Sequence, residues 1–453
     1  MSAQFEYAPP VNPNAPEDSL EARAPYIDNG TEQIDAERYY SREFMAREWR
    51  QLWTRAWLIA GPRGDLQEPG DYFVFDIGRE SIIVALGDDE RVRAFYNVCP
   101  HRGNQLVLND MGCTSQFTCA FHSWRFGLDG KCESITDEET FRPGVINARP
   151  SLAAVKVEEK AGLIFVNLDP EAPPLAERLG LPDGYLEAYQ LDKMRTVRHV
   201  VSEWGANWKT GVDAFYEVYH LHAVHPQTAT VMDDFGTQID LYPHGCSRMI
   251  VPIAKKSPRE EDQTTVDPGL EYMIVEAGMD PAEFQGDATT VRKAIQTFKR
   301  ERADRLGLGY EGLVDGQLTD SWATGVFPNV QIGLHPEGAF LMKFMPHPTD
   351  PERFFYDTIT LYRPVDDPSF KTPDWMGLPE GTDVSGEVRP DKEFVPYGEK
   401  PDLGLVLDQD SELLPVVQKG IRSRGFKGPL WSEQEIRLRH FHKELDRYMS
   451  GEK

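Results

Sequence analysis

The pattern of apolar and polar positions changes its period several times along the chain. Residues 1 to about 35 are polar and rich in Pro, Asn and Ala, without an apolar period, which is typical of a flexible or wrapping arm. From Asp35 to Leu52 the apolar residues recur on one face of a helix, with Phe44 and Trp49 among them. We therefore predict an arm and the start of a first helix over 1–40.

A strand period dominates the residues from about 55 to 168. The stretch DYFVFDIGRESIIVA (71–85) reads as a hairpin that turns near Gly78, and a second hairpin turns at the polar segment GDDE. A third turn falls at Asp129-Gly130, a pair that suits the positive φ angles of a type I′ turn. Because the segment 167–184 is dense in Pro, Gly and acidic residues, we place a mostly antiparallel β domain over 41–170.

Helical and strand periods alternate in the remaining residues, 171–453, which we predict to form a second domain. Its predicted helices lie at about 186–194, 207–224, 291–306, 409–424 and 432–449. Its predicted strands lie at about 195–203, 248–254, 328–334, 338–346 and 353–363. The expected fold class is α+β, with an antiparallel β domain first and then an α+β domain around a central antiparallel sheet.

Composition narrows the range of functions. The 453 residues are 40% hydrophobic, which is enough for a substantial core, and 74 acidic against 48 basic residues give a net charge of −26. This charge disfavours binding to nucleic acid or to anionic membranes. The sequence shows no run of 18 apolar residues and no secretory signal, and its five cysteines do not form a disulfide framework. We therefore expect a cytoplasmic protein that binds neither nucleic acid nor membrane.

Two short Cys–His pairs lie at the ends of adjacent predicted hairpins, at Cys99 and His101 and at Cys119 and His122. Two such pairs can converge on one small inorganic site, and by ligand type alone zinc is an alternative. The surrounding letters, CPHRG and CAFHSW, resemble the two cluster-binding loops of a Rieske [2Fe–2S] domain. The resemblance implies that the two cysteines hold one iron of the cluster and the two histidines the other.

The two loops differ from other Rieske loops at a few positions. Ala120 and Ser123 stand where this family usually has Pro and Gly. Asn104 and Phe121 stand where the Rieske proteins of respiratory complexes have two further, bridging cysteines. The resemblance therefore implies the oxygenase type of centre, near the lower end of the range of about −150 to +300 mV.

A second group of possible ligands lies in NWKTGVDAFYEVYHLHAVHP (207–226). His222 and His225 are three residues apart and face the same way on a regular helix. His220 and His225 are five apart, so they require a bulge or a helix that ends before Pro226. Helix geometry alone leaves both pairs open.

The letters NWK followed by E-x-Y-H-x4-H-P are similar to the mononuclear iron motif of Rieske non-haem iron oxygenase α subunits. The resemblance implies that His220 and His225 bind Fe(II) and that His222 is structural. Glu217 occupies the position of the bridging carboxylate, where the family often has Asp. The chain thus resembles the terminal oxygenase subunit of aromatic-ring-hydroxylating systems over about 40–440, which implies a catalytic domain of the helix-grip type.

The third iron ligand has to come from elsewhere, because O2-activating Fe(II) is usually held by two His and one carboxylate. The segment LVLDQDSELLPVVQKG (405–420) resembles the family helix in which an acidic residue lies eight positions before the Gln of V-Q-x-G. Counting back from Gln418 gives Asp410. Asp408 and Glu412 are close enough to remain alternatives.

The resemblance also implies how electrons reach the iron. A formal G-x-G-x-x-G at 307–312 follows a charged helical stretch rather than a strand, so we predict a loop there and no nicotinamide site. A ferredoxin, a flavin reductase or both are then the implied electron donors, with NAD(P)H consumed by them. The implied assembly is a trimer, alone or as α3β3 with a small β subunit, in which Glu217 carries the electron from His122 of a neighbouring subunit to His220.

The expected reaction uses O2 and two external electrons to hydroxylate an aromatic or other apolar small molecule, by cis-dihydroxylation. The alternative is monooxygenation with the same metals, as hydroxylation or as oxidative O- or N-dealkylation of an aromatic or ammonium substrate. An electron carrier and a zinc scaffold are candidates of other classes, which metal analysis separates. Apart from Lys209 no basic residue adjoins the iron motif, and Arg248 is a distant candidate for binding a substrate carboxylate. His440 and His442 are predicted to lie on the surface of the terminal helix.

Overall fold

The computed structural model describes residues 10–367, 370, 377–379 and 381–453. They divide into two compact units: one is formed by 47–178, and the other by the residues up to 46 together with 179–453. The described part of the amino-terminal arm therefore belongs to the second unit. There the backbone N–H of Val11 donates to the side chain of Gln238, and that of Ala24 donates to Asp240.

The first predicted helix is divided into three pieces. A 3₁₀ turn spans Ala36–Tyr39, helix α1 spans Arg42–Glu48, and a π-helical turn spans Trp49–Trp53. The 3₁₀ turn begins where the Asp35 carboxylate accepts the backbone N–H of Glu37 at 2.8 Å, and it stops where Tyr40 leaves helical geometry, at φ −143°. The continuous helix that the period alone predicts is therefore interrupted at Tyr40 and Ser41, between the 3₁₀ turn and α1.

The 47–178 unit is built from antiparallel strands, as predicted. Its larger sheet has the order β1-β10-β9-β4-β3-β2-β5, and β6, β7 and β8 form a small second sheet. The strands are β1 Leu58–Pro62, β2 Asp71–Ile77, β3 Glu80–Leu86, β4 Val92–Tyr96, β5 Met111–Cys113, β6 Phe117–Thr118, β7 Arg125–Phe126, β8 Cys132–Ser134, β9 Ala154–Lys160 and β10 Leu163–Asn167. The core of this unit includes the side chains that flank the two Cys–His loops, among them Leu106, Phe117 and Trp124.

The other unit is organised around an eight-stranded sheet of order β12-β13-β14-β15-β16-β17-β11-β18. All its pairs are antiparallel except β11 with β18. The strands are β11 Arg195–Trp204, β12 Gln238–Leu241, β13 Ser247–Val251, β14 Ser321–Val326, β15 Val330–Leu334, β16 Gly338–Pro346, β17 Phe354–Tyr362 and β18 Glu393–Val395. The predicted α+β class, with a β domain preceding a domain built on an antiparallel sheet, is confirmed.

The helices of this unit that follow α1 are α2 Trp208–Phe215, α3 Leu221–Val224, α4 Pro268–Glu276, α5 Ala288–Leu306, α6 Leu405–Ile421 and α7 Ile436–Ser450. The helix predicted over 207–224 is therefore interrupted between α2 and α3. Helix α5 ends at Gly307, which adopts φ +65°, and Gly309 also has a positive φ of +72°. The G-x-G-x-x-G segment is a helix end and a loop, as predicted.

One side of the central sheet lies against the segment that carries the iron motif. Met249 of β13 pairs with Ala323 of β14, which pairs in turn with Gly333 of β15, so their Cβ positions share a face. Val218 and Leu221, which flank the predicted ligand His220, pack against Met249 and Ala323 in one buried cluster. We call this the motif-facing side of the sheet. None of the helices in the described ranges combines the length and the apolar content that crossing a membrane requires.

Candidate metal centres

Three predicted iron ligands meet at one point. The side chains of His220, His225 and Asp410 each offer a ligand atom, and these atoms lie within 4.8 Å of one another. Asp410 Oδ1 is 3.2 Å from His225 Nε2 and 3.8 Å from His220 Nε2. The structure thus brings together two histidines and a carboxylate that is 185 positions beyond His225 in the sequence.

The break between α2 and α3 explains why His220 and His225 converge. Helix α2 ends at Phe215, and α3 is a single turn that ends as His225 leaves helical geometry, at φ −121° and ψ 54°, directly before Pro226. A ligand pair five residues apart therefore points to one site without lying on a regular helix. His222 is exposed and lies outside this group.

Hydrogen bonds fix which ring nitrogen each histidine offers. His225 Nδ1 lies 2.7 Å from Oε1 of Gln409, an oxygen that also accepts from Gln227. An amide oxygen only accepts, so the proton of His225 sits on Nδ1 and the Nε2 lone pair is free. His220 Nδ1 is likewise bonded to Glu217, which also accepts the His220 backbone N–H at 3.1 Å. Both rings present Nε2 towards Asp410, the arrangement in which outer partners orient metal-binding imidazoles.

The alternatives for the third ligand lie elsewhere on α6. Glu412 is exposed and pairs with Lys400, and Asp408 is not part of the compact group. Asp410, in contrast, is buried. Gln418, two turns further along, accepts the backbone N–H of Asn207 at 2.9 Å, which ties α6 to the start of α2. This contact positions α6, and Asp410 with it, relative to α2.

Carboxylates surround the site. Burial opposes protonation of His220, but its hydrogen bond to Glu217 and the charges of Glu217, Asp410 and Glu435 together raise its pKa. Burial, with the charges of Glu217 and Asp213 as smaller causes, raises the pKa of Glu435. The electrostatic field at the site therefore favours positive charge.

A buried network holds α2 one turn before Glu217. Tyr39 donates to Asp213 at 2.5 Å, and Nε2 of His442 lies 3.0 Å from the other oxygen of that carboxylate. Arg38, which can only donate, lies 3.1 Å from Nδ1 of His442, so His442 is neutral with its proton on Nε2. The prediction that His440 and His442 lie on the surface is wrong. Both are buried, because the amino-terminal segment and the loop before β13 cover the polar face of α7 with hydrogen-bond partners.

The two Cys–His loops also converge within the 47–178 unit. Cys99 and Cys119 are buried and joined by a side-chain hydrogen bond. The rings of His101 and His122 have centroids 4.6 Å apart, and their side chains are partly exposed. The four predicted ligands therefore form one inner thiol pair and one outer imidazole pair, the grouping that a Rieske cluster of two irons uses.

Details of the loops fit a bound cluster. Nδ1 of His122 is buried without a hydrogen-bond partner among the described residues, so it is available as a ligand. Backbone N–H groups of His101 and Arg102 point at the Cys99 sulfur, and hydrogen bonds of this kind tune iron–sulfur clusters. These observations agree with a [2Fe–2S] group held by two thiolates and two imidazoles.

The loops contain features that the sequence did not reveal. Ser123 has φ +57°, a left-handed conformation that explains why glycine is usual at this position. The Trp124 ring stacks on His101 with centroids 4.7 Å apart and an angle of 7°. Phe121 is 53% exposed and lies under the guanidinium of Arg102. Only the position of Trp124 directly after the second loop could have suggested its contact with His101.

Arg248 has a structural role. Its guanidinium is buried and donates two hydrogen bonds to Asp240 Oδ2, at 2.8 and 2.5 Å, and others to the backbone carbonyls of Leu20 and Ala22. These contacts join the arm to the sheet. They leave Arg248 without the free donors that a substrate carboxylate would need, so this candidate from the sequence is wrong.

Two family models match the chain. A model of the ring hydroxylating alpha subunit (catalytic domain) matches residues 191–451, more than half of the chain, and a model of the Rieske [2Fe–2S] domain matches residues 56–150. The chain belongs to the ring-hydroxylating α-subunit family. Its cofactors are therefore a Rieske [2Fe–2S] cluster in the first of its two domains and non-haem iron in the catalytic domain.

Among curated proteins, this α subunit is similar to the carnitine monooxygenase oxygenase subunit of Escherichia coli K12. The two are 32% identical over 219 residues, which is 47% of this chain and 55% of that protein, so the match spans about half the length of the relative. Among solved structures it is similar to a quaternary ammonium Rieske monooxygenase, with a TM-score of 0.66, 19% identity and coverage of 92% of this chain and 95% of that one. It is also similar to naphthalene 1,2-dioxygenase, with a TM-score of 0.65, 19% identity and coverage of 94% and 95%. At these identities the two structures show a common fold.

Proposed function

We propose that this α subunit is the oxygenase component of a monooxygenase that oxidises a quaternary ammonium compound. The observation that carries the proposal is the group of carboxylates, Glu217, Asp410 and Glu435, whose charges act on His220, because they favour a cationic substrate. The 32% identity to a carnitine monooxygenase subunit supports the same substrate class. Monooxygenation of an ammonium substrate, the alternative expected from the sequence, is therefore preferred to cis-dihydroxylation.

In this proposal His220 and His225 hold the iron through Nε2, and Asp410 supplies the carboxylate oxygen. Cys99 and Cys119 hold one iron of the cluster, and His101 and His122 the other. When bound, the mononuclear iron supplies oxygen activation, for which a ligand set of two His and one carboxylate leaves coordination positions open.

The neighbouring side chains orient the iron ligands. Glu217 holds His220 by Nδ1, and Gln409 does the same for His225, so neither imidazole can rotate away from the site. Glu217 also bridges His220 to a cluster histidine of a second copy of the chain, in the trimer that the family resemblance implies. A ferredoxin, a flavin reductase or both deliver the electrons from NAD(P)H.

The proposed chemistry begins at a carbon bound to the quaternary nitrogen. O2, two electrons and two protons convert one C–H bond into C–OH and release one water. The carbon–nitrogen bond of the resulting carbinol then breaks, which gives a tertiary amine, a carbonyl compound and a proton. The buried apolar cluster of Val218, Leu221, Met249, Val251 and Ala323 adjoins the iron motif, which supports a substrate that carries methyl groups.

The first test is metal analysis of protein purified without oxygen. We expect about three irons and two acid-labile sulfides per chain, together with a reduced Rieske signal. Two irons with two sulfides would leave only an electron-transfer site, and zinc without sulfide would contradict the whole assignment.

The second test is turnover with a reductase, using carnitine, glycine betaine, choline, naphthalene and biphenyl as separate substrates. We expect one amine and one carbonyl product per O2 consumed with an ammonium substrate. A cis-diol that contains two oxygen atoms from labelled O2, formed from an aromatic substrate only, would contradict the proposal.

That outcome would support the second candidate, aromatic cis-dihydroxylation. The buried apolar cluster beside the iron motif is as compatible with an unsubstituted ring as with methyl groups. The TM-score of 0.65 to naphthalene 1,2-dioxygenase almost equals that to the quaternary ammonium enzyme, so fold similarity gives no preference between the two.

A further inference from the structure

Arg437 on α7 is a buried cation without an acidic partner. Its side chain is fully buried, and it forms no ion pair with any residue that the structure describes. Nε donates to Ser247 Oγ at 2.9 Å, and Nη2 donates to Gln331 Oε1 at 3.3 Å. Nη1 has no hydrogen-bond partner among the described residues. The guanidinium lies 4.4 Å from the centre of the Tyr216 ring.

Arg248, the other buried arginine at β13, has an acidic partner, whereas Arg437 has none among the described residues. Arg248 follows Ser247 in β13, so its side chain points to the opposite face, where Asp240 neutralises it. Burial of a cation is expensive unless the charge is paired, and hydroxyl and amide oxygens compensate only part of the cost. Burial lowers the pKa of Arg437 to about 10, so the group remains charged at neutral pH.

Beside the partners of Arg437, Gly333 leaves room for the first atom of a side chain. Gly333 is buried, yet a Cβ atom built on it would meet only Phe340, at 3.9 Å. Gly325, in contrast, is covered by the Tyr216 ring, which would lie 2.7 Å from its Cβ. Gln331 and Gly333 are two positions apart on β15, about 6.8 Å, and both point to the motif-facing side.

This space also adjoins the iron motif. Ala323 pairs with Gly333 across β14 and β15, and Ala323 belongs to the same buried cluster as Leu221, the residue after His220. A ligand above Gly333 would therefore have the iron-motif segment on one side. The Gln331 amide, which is hydrogen-bonded to the buried guanidinium, would be the neighbouring side chain on the same side of β15.

We propose that the substrate binds above Gly333 and that Arg437 pairs with a carboxylate of the substrate. The inference rests on the proposed function and narrows it, because the substrate is then a zwitterion with a quaternary ammonium group at one end and a carboxylate at the other. Carnitine and glycine betaine have this chemistry, whereas choline lacks the carboxylate.

The test compares two probes, glycine betaine and choline, that bind to the iron-loaded protein under anaerobic conditions, with calorimetry as the measurement. We expect glycine betaine to bind at least about tenfold more tightly than choline. The decisive variant is Gln331→Glu, which places a permanent carboxylate next to Arg437. It should abolish the preference for glycine betaine and raise the melting temperature.

Arg437→Lys and Arg437→Met complete the series. Lysine keeps the charge and should retain part of the preference, whereas methionine should remove it without changing the iron content. Equal affinity for both probes in the wild type, or an unchanged preference in Gln331→Glu, would overturn the inference. An equal loss of both probes in Arg437→Met would indicate a structural role and would overturn it as well.

The same series separates this inference from the proposed function. If glycine betaine binds through Arg437 but no amine is released on turnover, the proposed function fails and the carboxylate site remains. If choline is oxidised as well as glycine betaine, the proposed function stands and the assignment of Arg437 fails.

Discussion

The two candidate metal sites differ in how far apart their ligands lie along the chain. The four predicted cluster ligands fall between Cys99 and His122, on two loops of one small β unit. The predicted iron ligands combine His220 and His225 with Asp410, which is 185 positions beyond the second histidine. The first site depends on local loop geometry, whereas the second depends on the packing of α6 against α2 and the sheet.

The sites also differ in how their ligands are held before metal binds. The imidazoles of the cluster loops are partly exposed, and Nδ1 of His122 lacks a partner among the residues that the structure describes. The iron-site imidazoles are each fixed by a carboxylate or an amide, through Glu217 and Gln409. We infer that the cluster itself organises the first site, whereas the protein orients the ligands of the second in advance.

The largest effect is expected from Cys119→Ser. The substitution removes one of two buried thiolates, so we expect acid-labile sulfide and the reduced Rieske signal to fall to background, with product formation abolished. The mononuclear iron should remain, because its ligands lie in the other unit. Cys246→Ser, a change at a buried thiol outside both sites, is the control and should retain both metals.

Loss of the iron alone is expected from Asp410→Asn. The change removes the anionic ligand but keeps the shape of the side chain, and we expect iron affinity to fall at least about 10–100-fold while the sulfide content stays unchanged. Asp408→Asn on the same helix is the matched control. If Asp408→Asn lost the iron and Asp410→Asn did not, the assignment of the third ligand would be wrong.

A change in function with both metals retained is expected from Glu217→Ala. If Glu217 orients His220 and carries the electron to it, product formation should fall about 100-fold or more. Cluster and iron contents should remain close to those of the wild type, as measured by metal and sulfide analysis. Normal turnover in this variant would exclude the bridging role.

The strand period, the turn residues and the short motifs predicted those features of the two sites that depend on residues close together in the sequence. The Cys–His loops could be placed on hairpins because strand period and turn residues operate over a few positions. The order of the two domains and the antiparallel character of both sheets followed from the same signals. Family resemblance was needed to choose His225 with His220, because a regular helix does not bring them together.

The features that the sequence predicted wrongly or did not reveal depend on contacts between distant segments of the chain. His442 has the sequence context of a solvated helix, but Tyr39 and Asp213 bury it. Gln409 and Arg437 acquire their roles only when α6 and α7 dock on the sheet, and no periodicity or motif marks them. Buried polar residues of this kind resemble surface residues in the sequence until their partners are known.

The smallest expected effect is a difference in acid sensitivity between the two units. Burial lowers the pKa of His335 to about 3, and it also lowers the pKa values of His440 and His442. All three belong to the catalytic unit, whereas the only histidines of the 47–178 unit are the two cluster ligands, His101 and His122. Between pH 3 and 6.5 the unfolded chain therefore binds more protons at His335 than the folded chain does.

The free energy of unfolding of the catalytic unit should consequently fall as the pH drops from 6.5 to 5, by up to about 1.4 kcal/mol per pH unit for each such histidine. Cluster absorbance reports the unfolding of the first unit alone, whereas tryptophan fluorescence reports both units, because four of the nine tryptophans lie within 47–178. His335→Gln, which cannot titrate, should reduce the slope below pH 6.5 by the contribution of one group. An unchanged slope in that variant, or an earlier loss of cluster absorbance than of fluorescence, would show that the buried histidines do not determine the acid response.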